Sequence, residues 1–342
     1  MEIAIIGAGN TGQIMAFDLV QKGATVRLYD RNPEKINYLH QKGLEASGKL
    51  EGKISLPLAT TDLTKAIEGA EIIFVMTTAA GHYPIAKQLK PIIKKDQILI
   101  VFNANWGALE FEQVFRSEKS LEGIIIGETG AQLYIGQILE PGKVFSKQIK
   151  KEVTLATNHS CDDALKKLAP LIPQFKKAGN IIETSLNNSN PIVHAPVTLF
   201  NIARIEAKDD FLFYADGAPE KVIEYIIKID QERLAIAKKL GIKSHNILEI
   251  INSFWPDKIN NLYEAIHKNP SYKIAKGPKL LSHRYITEDI PFGIVPLIHL
   301  GKSLQIPTPC MNQLVETLNL YLDQNLFTNG FDPSIDEIQK YI

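Results

Sequence analysis

Short apolar runs alternate with amphipathic stretches through the first half of the chain. Residues 3–7 form one such run, and 13–22 follow with apolar side chains at Ile14, Phe17, Leu19 and Val20, a helical spacing. Further runs at 25–30, 70–77, 97–103 and 123–127 read as strands, with helices from Pro33 and around Ala86 between them. Strands that are apolar throughout and separated by helices fit a parallel sheet covered on both faces. Two more strands are expected at 151–156 and 180–184, with a helix starting at Asp163 between them. Beyond about Ser185 the pattern turns helical, over 222–240, 246–254, 259–267, 294–304 and 312–322, and no strand is expected. Pro307-Thr308-Pro309 separates the last two helices, since proline does not fit a helix interior.

Gly7-Ala8-Gly9-Asn10-Thr11-Gly12 is a G-x-G-x-x-G set between the first strand and the first helix. In that context Gly7 permits the tight turn, Gly9 lets the backbone approach a pyrophosphate, and Gly12 lets the helix pack closely. The free N–H groups of the helix N-terminus, at Asn10 and Thr11, receive the anion. Asp30 ends the second strand about 20 residues on, where a carboxylate accepts the ribose hydroxyls. That favours NAD, because a 2′-phosphate would meet a negative charge. Arg31 beside it suits a phosphate, an adenine or a solvated turn, so NADP stays possible. Thr77 opens the loop after the 70–77 strand, and Asn103-Ala104-Asn105-Trp106-Gly107 follows the next; ligands bind outside such carboxyl ends. The fold expected is an α/β Rossmann domain over residues 1–185 followed by an all-α domain over 186–342.

Composition narrows the function classes. Lys plus Arg and Asp plus Glu number 38 each, so there is no global positive excess to neutralise nucleic-acid phosphates. Cys161 and Cys310 stand far apart with no metal-ligand spacing, so neither a disulfide scaffold nor a metal site is expected. The chain enters its first strand directly from Met1-Glu2 without a basic leader, and no apolar run reaches membrane-spanning length. A cytoplasmic protein without a membrane partner is the expectation, and the apolar helices of the second domain would support a homodimer.

Hydride chemistry on a carbonyl or imine also needs a group that handles a proton. His194 stands out among eight histidines because NNSNPIVHAP opens the helical domain. Asn190 followed by Pro191 reads as a helix start, with Asn190 as the cap and His194 one turn in. The positive end of a helix disfavours imidazolium, so a proton-donating His194 there needs a carboxylate beside it. It fits equally a buried, hydrogen-bonded histidine. Asp289, in HRYITEDIPFG, is a candidate partner and also reads as an ordinary acidic residue before a helix. His82, in the loop after the 70–77 strand, fits a structural or a catalytic role.

Three stretches, the glycine fingerprint, NNSNPIVHAP and RYITEDIPFGIVPLIHLGKSLQIPTP, resemble the opine dehydrogenase (octopine/nopaline dehydrogenase) family. Gly127-Glu128-Thr129 and Asp230-Gln231-Glu232-Arg233-Leu234 add smaller similarities. The resemblance implies a Rossmann domain and a helical domain like that of 6-phosphogluconate dehydrogenase, with the active site in a cleft between them. It implies NAD(P)H-dependent condensation of an α-keto acid with the amine of an amino acid. On the same basis His194 is the acid/base, Asp289 its partner and Asn190 a polar neighbour. One departure concerns substrate recognition: where the family is expected to carry an arginine after Glu128-Thr129, this chain has Tyr134-Ile135-Gly136-Gln137. A neutral Gln137 leaves substrate carboxylates to other cations, with Arg284, Arg204 and Lys208 as candidates.

Two alternatives keep the nucleotide fold. A ketopantoate-reductase-like or 3-hydroxy-acid dehydrogenase would act on a simple carbonyl, usually through a lysine in the helical domain; no N-x-x-K or K-x-x-N pattern stands out there. A non-catalytic NAD(P)-binding sensor would keep the glycines and have no use for a His194–Asp289 pair.

Overall fold

The computed structural model describes residues 1–116, 123–159, 161–253, 259–328 and 330–342. Contacts divide the chain into two compact units, Met1–Thr184 and Ser185–Ile342. The first unit runs β1 (Glu2–Ile6), α1 (Asn10–Gln21), β2 (Thr25–Tyr29), α2 (Pro33–Lys42), β3 (Leu44–Gly48), β4 (Gly52–Ile54) and β5 (Leu58–Thr60). It continues with α3 (Leu63–Ile67), β6 (Ile72–Val75), α4 (His82–Leu89), β7 (Ile98–Val101), α5 (Gly107–Arg116) and β8 (Ile125–Thr129). Next come β9 (Tyr134–Glu140), β10 (Lys143–Ile149), β11 (Val153–Thr157), α6 (Cys161–Leu168), β12 (Phe175–Lys177) and α7 (Ile181–Leu186), the last crossing into the second unit.

Eight strands form one sheet in the order β12-β11-β8-β7-β6-β1-β2-β5, parallel except where β11 meets β8. From β1 the chain steps first to β2 on one side and later to β6 on the other. That reversal opens a crevice at the carboxyl ends of β1 and β6, where the glycine fingerprint begins. The buried apolar runs IAII, IIFV and ILIV carry these central strands, so the parallel Rossmann sheet expected from them is present. A second sheet, β4-β3-β10-β9, was not anticipated. Its strands are half exposed, with no sustained apolar run to announce them, although β9 and β10 are seven residues long. It packs on α1, where the buried Tyr134 hydroxyl donates to Asp18 at 2.6 Å.

One expected strand is a helix. Residues 181–184 form the start of α7, because the Asn180 Oδ1 just ahead of them accepts from the N–H groups of Ile182 and Glu183 at 3.0 and 2.8 Å and caps a helical turn. The outermost strand is instead β12, paired with Val153–Leu155. The helix expected from Asp163 through Phe175 ends at Leu168, ahead of Pro170 and Pro173.

The second unit is helical: α8 (Ser189–Phe200), α9 (Ile202–Glu206), α10 (Glu220–Lys239), α11 (Ile247–Ser253), α12 (Leu262–Lys268), α13 (Arg284–Thr287), α14 (Val295–Leu304), α15 (Pro309–Leu322) and α16 (Ile335–Ile338). The last residue of the predicted 246–254 helix lies outside the described residues. Only an isolated bridge, Leu212 to Lys276, has strand character among the described residues here. The DQERL segment of α10 acts as scaffold. Arg233, 1% exposed, bonds Asp230 and the Leu186 carbonyl just ahead of α8. Asp230 also receives the Ile247 N–H at the start of α11, and Glu232 receives the Cys310 and Met311 N–H groups at the start of α15. Carboxylates at helix N-termini satisfy donors that have no partner within the helix. No described helix is long and apolar enough to cross a membrane.

The fingerprint glycines differ in what surrounds them. A Cβ on Gly12 would lie 1.9 Å from the Gly7 carbonyl oxygen, whereas one on Gly9 would meet nothing within 4 Å. Gly12→Ala is therefore expected to cost about 1–3 kcal/mol or more in overpacking. Calorimetry should show a lowered thermal midpoint for Gly12→Ala and an unchanged one for Gly9→Ala.

Candidate active site

Two sites take shape, one in each unit. In the first, Gly7 at φ +113° brings the end of β1 so near β6 that a Cβ would sit 2.9 Å from the Met76 carbonyl oxygen. Gly9 precedes α1 in extended geometry without a side-chain cap, leaving the first-turn N–H groups for a ligand. Asp30 closes the other side: one carboxylate oxygen accepts from Ala8 N–H at 2.9 Å and Lys35 Nζ at 3.0 Å, the other from Asn32 N–H at 3.0 Å. Burial opposes its ionisation, but these bonds outweigh it and hold the carboxyl below its ordinary value. A cavity of about 320 Å³ adjoins, lined by Gly7, Asp30, Arg31, Thr77 and Pro84 among others. The buried Thr77 hydroxyl has no hydrogen-bond partner among the described residues. An open glycine backbone, a helix N-terminus, an ionised acid and an orphaned hydroxyl fit a dinucleotide. Asn10 serves the fold as well: its side chain accepts from Ile138 N–H at 2.9 Å, tying the fingerprint to β9. Gln137, on the same strand, is exposed.

The loop after β7 is strained. Asn103, Ala104, Asn105 and Trp106 all have positive φ, between 52° and 74°, without a glycine among them. Left-handed backbone costs L-residues roughly 1–2 kcal/mol each, so the surroundings must impose it. Glu128-Thr129 does much of this: Thr129 receives the Asn103 and Ala104 N–H groups, and Glu128 receives Ala108 N–H.

His82 lies in the interior beside this loop. It is 1% exposed, and neither ring nitrogen has a hydrogen-bond partner among the described residues. Its Nδ1 is 3.8 Å from a carboxylate oxygen of Glu110. Burial depresses the imidazole to about 4 and pushes the Glu110 carboxyl up to about 8. Of the structural and catalytic roles that the loop position allows, a buried imidazole that is uncharged at neutral pH fits the structural one.

The second site is built on α8. Its cap is Asn188, whose side chain accepts from Asn190 N–H at 3.1 Å; Asn190 and Pro191 are the second and third helical residues. The expected cap at Asn190 is therefore displaced by one position pair. Proline fits the third position as it fits the first, because the early N–H groups of a helix have no intrahelical partner. Asn190 and His194 remain one turn apart on the same face.

Asp289 reaches His194 because the chain before α14 comes close to the first turn of α8. Ile290–Ile294 form a π-helical turn, and a Cβ on Gly293 would lie 2.2 Å from the Pro191 side chain. With that approach, Asp289 Oδ2 stands 2.7 Å from His194 Nδ1, and Asp289 is fully buried. His194 Nε2 is 2.9 Å from the Tyr214 hydroxyl. Tyr285 lies over the imidazole, with ring centres 4.1 Å apart and planes tilted by 34°, and Phe213 meets it edge-on. Tyr214 and Tyr285 were not picked out from sequence. Tyr285 had a signal, being four residues before Asp289; Tyr214 sits in an irregular stretch between helices and had none.

The candidate cations separate. Arg284 opens α13, half exposed, with its Nε 2.9 Å from Glu288 and its carbonyl receiving the Asp289 N–H. Arg204 stacks over Phe211 at 4.3 Å, and Lys208 stands exposed after α9 with its carbonyl bonded to Lys279. Among the described residues no group of three or more His, Cys, Asp or Glu is placed to hold a metal.

Comparison with known proteins agrees with both halves. The family model for the NAD/NADP octopine/nopaline dehydrogenase alpha-helical domain matches residues 177–322, and that for ketopantoate reductase PanE/ApbA matches residues 3–155. The chain is 31% identical over 332 residues to the opine dehydrogenase of Arthrobacter sp. (strain 1C), covering 96% of this chain and 92% of that protein. Among solved structures, octopine dehydrogenase in complex with NADH and agmatine is 17% identical with a TM-score of 0.81, covering 100% of this chain and 95% of that one. Yersinopine dehydrogenase bound to NADP+ is 15% identical with a TM-score of 0.77, covering 99% of this chain and 97% of that one. Fold and relatives define an NAD(P)-dependent oxidoreductase acting on secondary amines. The chain belongs to the opine dehydrogenase family.

The buried Glu110 carries a pH signature. Its folded value near 8 exceeds the ordinary 4.5, so between these pH values the folded protein holds a proton that the unfolded chain releases, and stability falls as pH rises. His82 acts oppositely, losing stability as pH falls from 6.5 towards about 4. Glu110→Gln should raise stability by a few kcal/mol at pH 8, on the order set by such a shift, and by little near pH 4.5. Thermal melts of both proteins across that range measure the difference.

Proposed function

We propose that this enzyme reductively condenses an α-keto acid with the amine of an amino acid, using His194 as general acid/base. The observation that carries the reading is the 2.7 Å contact between His194 and the fully buried Asp289. The amine adds to the keto carbon, and water must leave before an imine exists. Protonated His194 gives its Nε2 proton to the departing oxygen, and in the reverse direction takes one up. Asp289 accepts from Nδ1 throughout, fixes the ring and balances the imidazolium charge. Bound reduced nicotinamide supplies the hydride that converts the imine carbon to a secondary amine. Gly7, Gly9 and Gly12, the N–H groups of Asn10 and Thr11, and Thr77 hold the dinucleotide.

Asp30 accepts the ribose hydroxyls in this reading, which makes NAD the favoured cofactor. Lys35, paired to Asp30, and the neighbouring Arg31 support NADP as a second one. Arg284 is the cation for a substrate carboxylate, Asn190 a polar neighbour of the acid/base, and Gln137 a neutral hydrogen-bonding contact. We take the enzyme to be cytoplasmic and able to pair as a homodimer through the helical unit, whose exposed Phe200, Leu320 and Tyr321 offer apolar surface.

NADH and NADPH oxidation measured with keto acids, with and without amino acids, tests the reading. Turnover is expected only when both are present; equal rates without amine would favour reduction of a simple carbonyl. His194→Ala is expected to lower kcat by roughly 10²–10⁴, the usual weight of a general acid/base. Undiminished turnover in that variant would remove His194 from the chemistry.

A further inference from the structure

His194 is engaged at both ring nitrogens, and only one of its partners came from the sequence. The Asp289 carboxylate accepts, so Nδ1 carries the proton and a neutral ring keeps its lone pair at Nε2. The Tyr214 hydroxyl, 2.9 Å from Nε2, must then be the donor. We propose that Tyr214 is a positioning residue for the acid/base: its hydroxyl completes an Asp289–His194–Tyr214 chain that holds the imidazole in one orientation and one tautomer. This rests on the reading of His194 as the group that moves the proton.

A single hydrogen bond lets a ring pivot about the bonded atom; two, from opposite sides, define its plane and direction. The two partners come from different places, Asp289 from the turn before the π-helical segment and Tyr214 from the stretch between α9 and α10. Tyr214 is itself held. Its ring stacks on Tyr272 with centres 4.1 Å apart and planes 21° apart, and it meets Phe213 edge-on at 5.0 Å. Moving the hydroxyl away from Nε2 works against that stack. Burial, reinforced by Tyr285, Tyr272 and Asp289, holds the phenol well above its ordinary value, so it keeps its proton: it donates to Nε2 of the neutral ring and accepts from Nε2–H of the protonated one. Tyr285 covers one imidazole face and itself leans on Phe213 at 4.6 Å, which resists rotation of the histidine about its own axis. Nε2 is also the nitrogen that exchanges a proton with substrate, so in the substrate-free protein the Tyr214 hydroxyl occupies, and marks, the direction along which that exchange runs. Misplacement by about 1 Å in such a site can cost 10²-fold in rate.

Tyr214→Phe removes the hydroxyl and keeps the ring and its stacks. In substrate-free protein labelled with ¹⁵N-histidine, with the His194 signals identified by their loss in His194→Ala, wild type should show one N–H nitrogen and one hydrogen-bonded acceptor. Tyr214→Phe should move the acceptor resonance towards that of an unbonded nitrogen and leave the N–H signal in place. Fluorotyrosine placed at position 214, a stronger donor, should move it the other way and serves if the phenylalanine variant fails to fold. With keto acid, amino acid and NADH, kcat of Tyr214→Phe should fall about 10- to 100-fold while KM for the keto acid stays within about threefold. An unmoved acceptor resonance in the variants, or an unchanged kcat, overturns the proposal. If wild type shows no amine-dependent turnover, the function proposed above fails, and the nitrogen spectra alone decide whether Tyr214 holds the ring.

Discussion

A carboxylate shut away from water is tolerable only beside a donor, and Asp289 has no solvent exposure at all. Its bond to His194 therefore does more than join two side chains. It requires the first turn of α8 and the chain ahead of α14 to sit at one separation, because a shift of an ångström would strand a buried charge. Much of the helical unit answers that requirement. Arg233 fixes the approach to α8 through the Leu186 carbonyl, and Gly293 lets the π-helical turn press against Pro191. The aromatic rings of Phe213, Tyr214, Tyr272 and Tyr285 fill the remaining space around the imidazole.

In the Rossmann unit the same principle operates through Glu128. Its buried carboxylate receives Ala108 N–H and the Thr184 hydroxyl, and Thr129 beside it holds the left-handed residues that follow β7. Strained backbone of this kind persists only where neighbours over-determine it. Here it lies at the carboxyl end of a central strand, next to the loop carrying Thr77. The Gly127-Glu128-Thr129 segment, which in sequence is only a family similarity, thus has a physical reason for its residue types.

The sequence displayed the Rossmann sheet because its central strands are buried on both faces and so are apolar without interruption. The β3-β4-β9-β10 sheet left no such trace, since its strands are half exposed and lie against one helix. The error at 180–184 arose because Ile181-Ile182 reads as a strand, while the deciding group is the preceding Asn180 side chain, which turns the backbone into a helix. His194 and Asp289 were legible as residues but not as a pair; 95 positions separate them, and only packing brings them together. Tyr214 was invisible, since Phe211-Leu212-Phe213-Tyr214 is an apolar run in an irregular stretch with no period to single out one of its rings. The cap of α8 was misplaced by two residues because Asn188 and Asn190 are chemically alike, and proline tolerates either register.

The π-helical turn that follows Asp289 has a consequence for how this family member can vary. Such a turn closes each backbone bond over one more residue than an α-helix does. The extra residue is taken up inside that one widened turn, so the chain on either side keeps nearly the direction that an uninterrupted α-helix would give it, with Asp289 still facing His194. The side chains of the turn are held more tightly than its winding: Ile290–Ile294 are all buried, and any side chain at position 293 would run into Pro191.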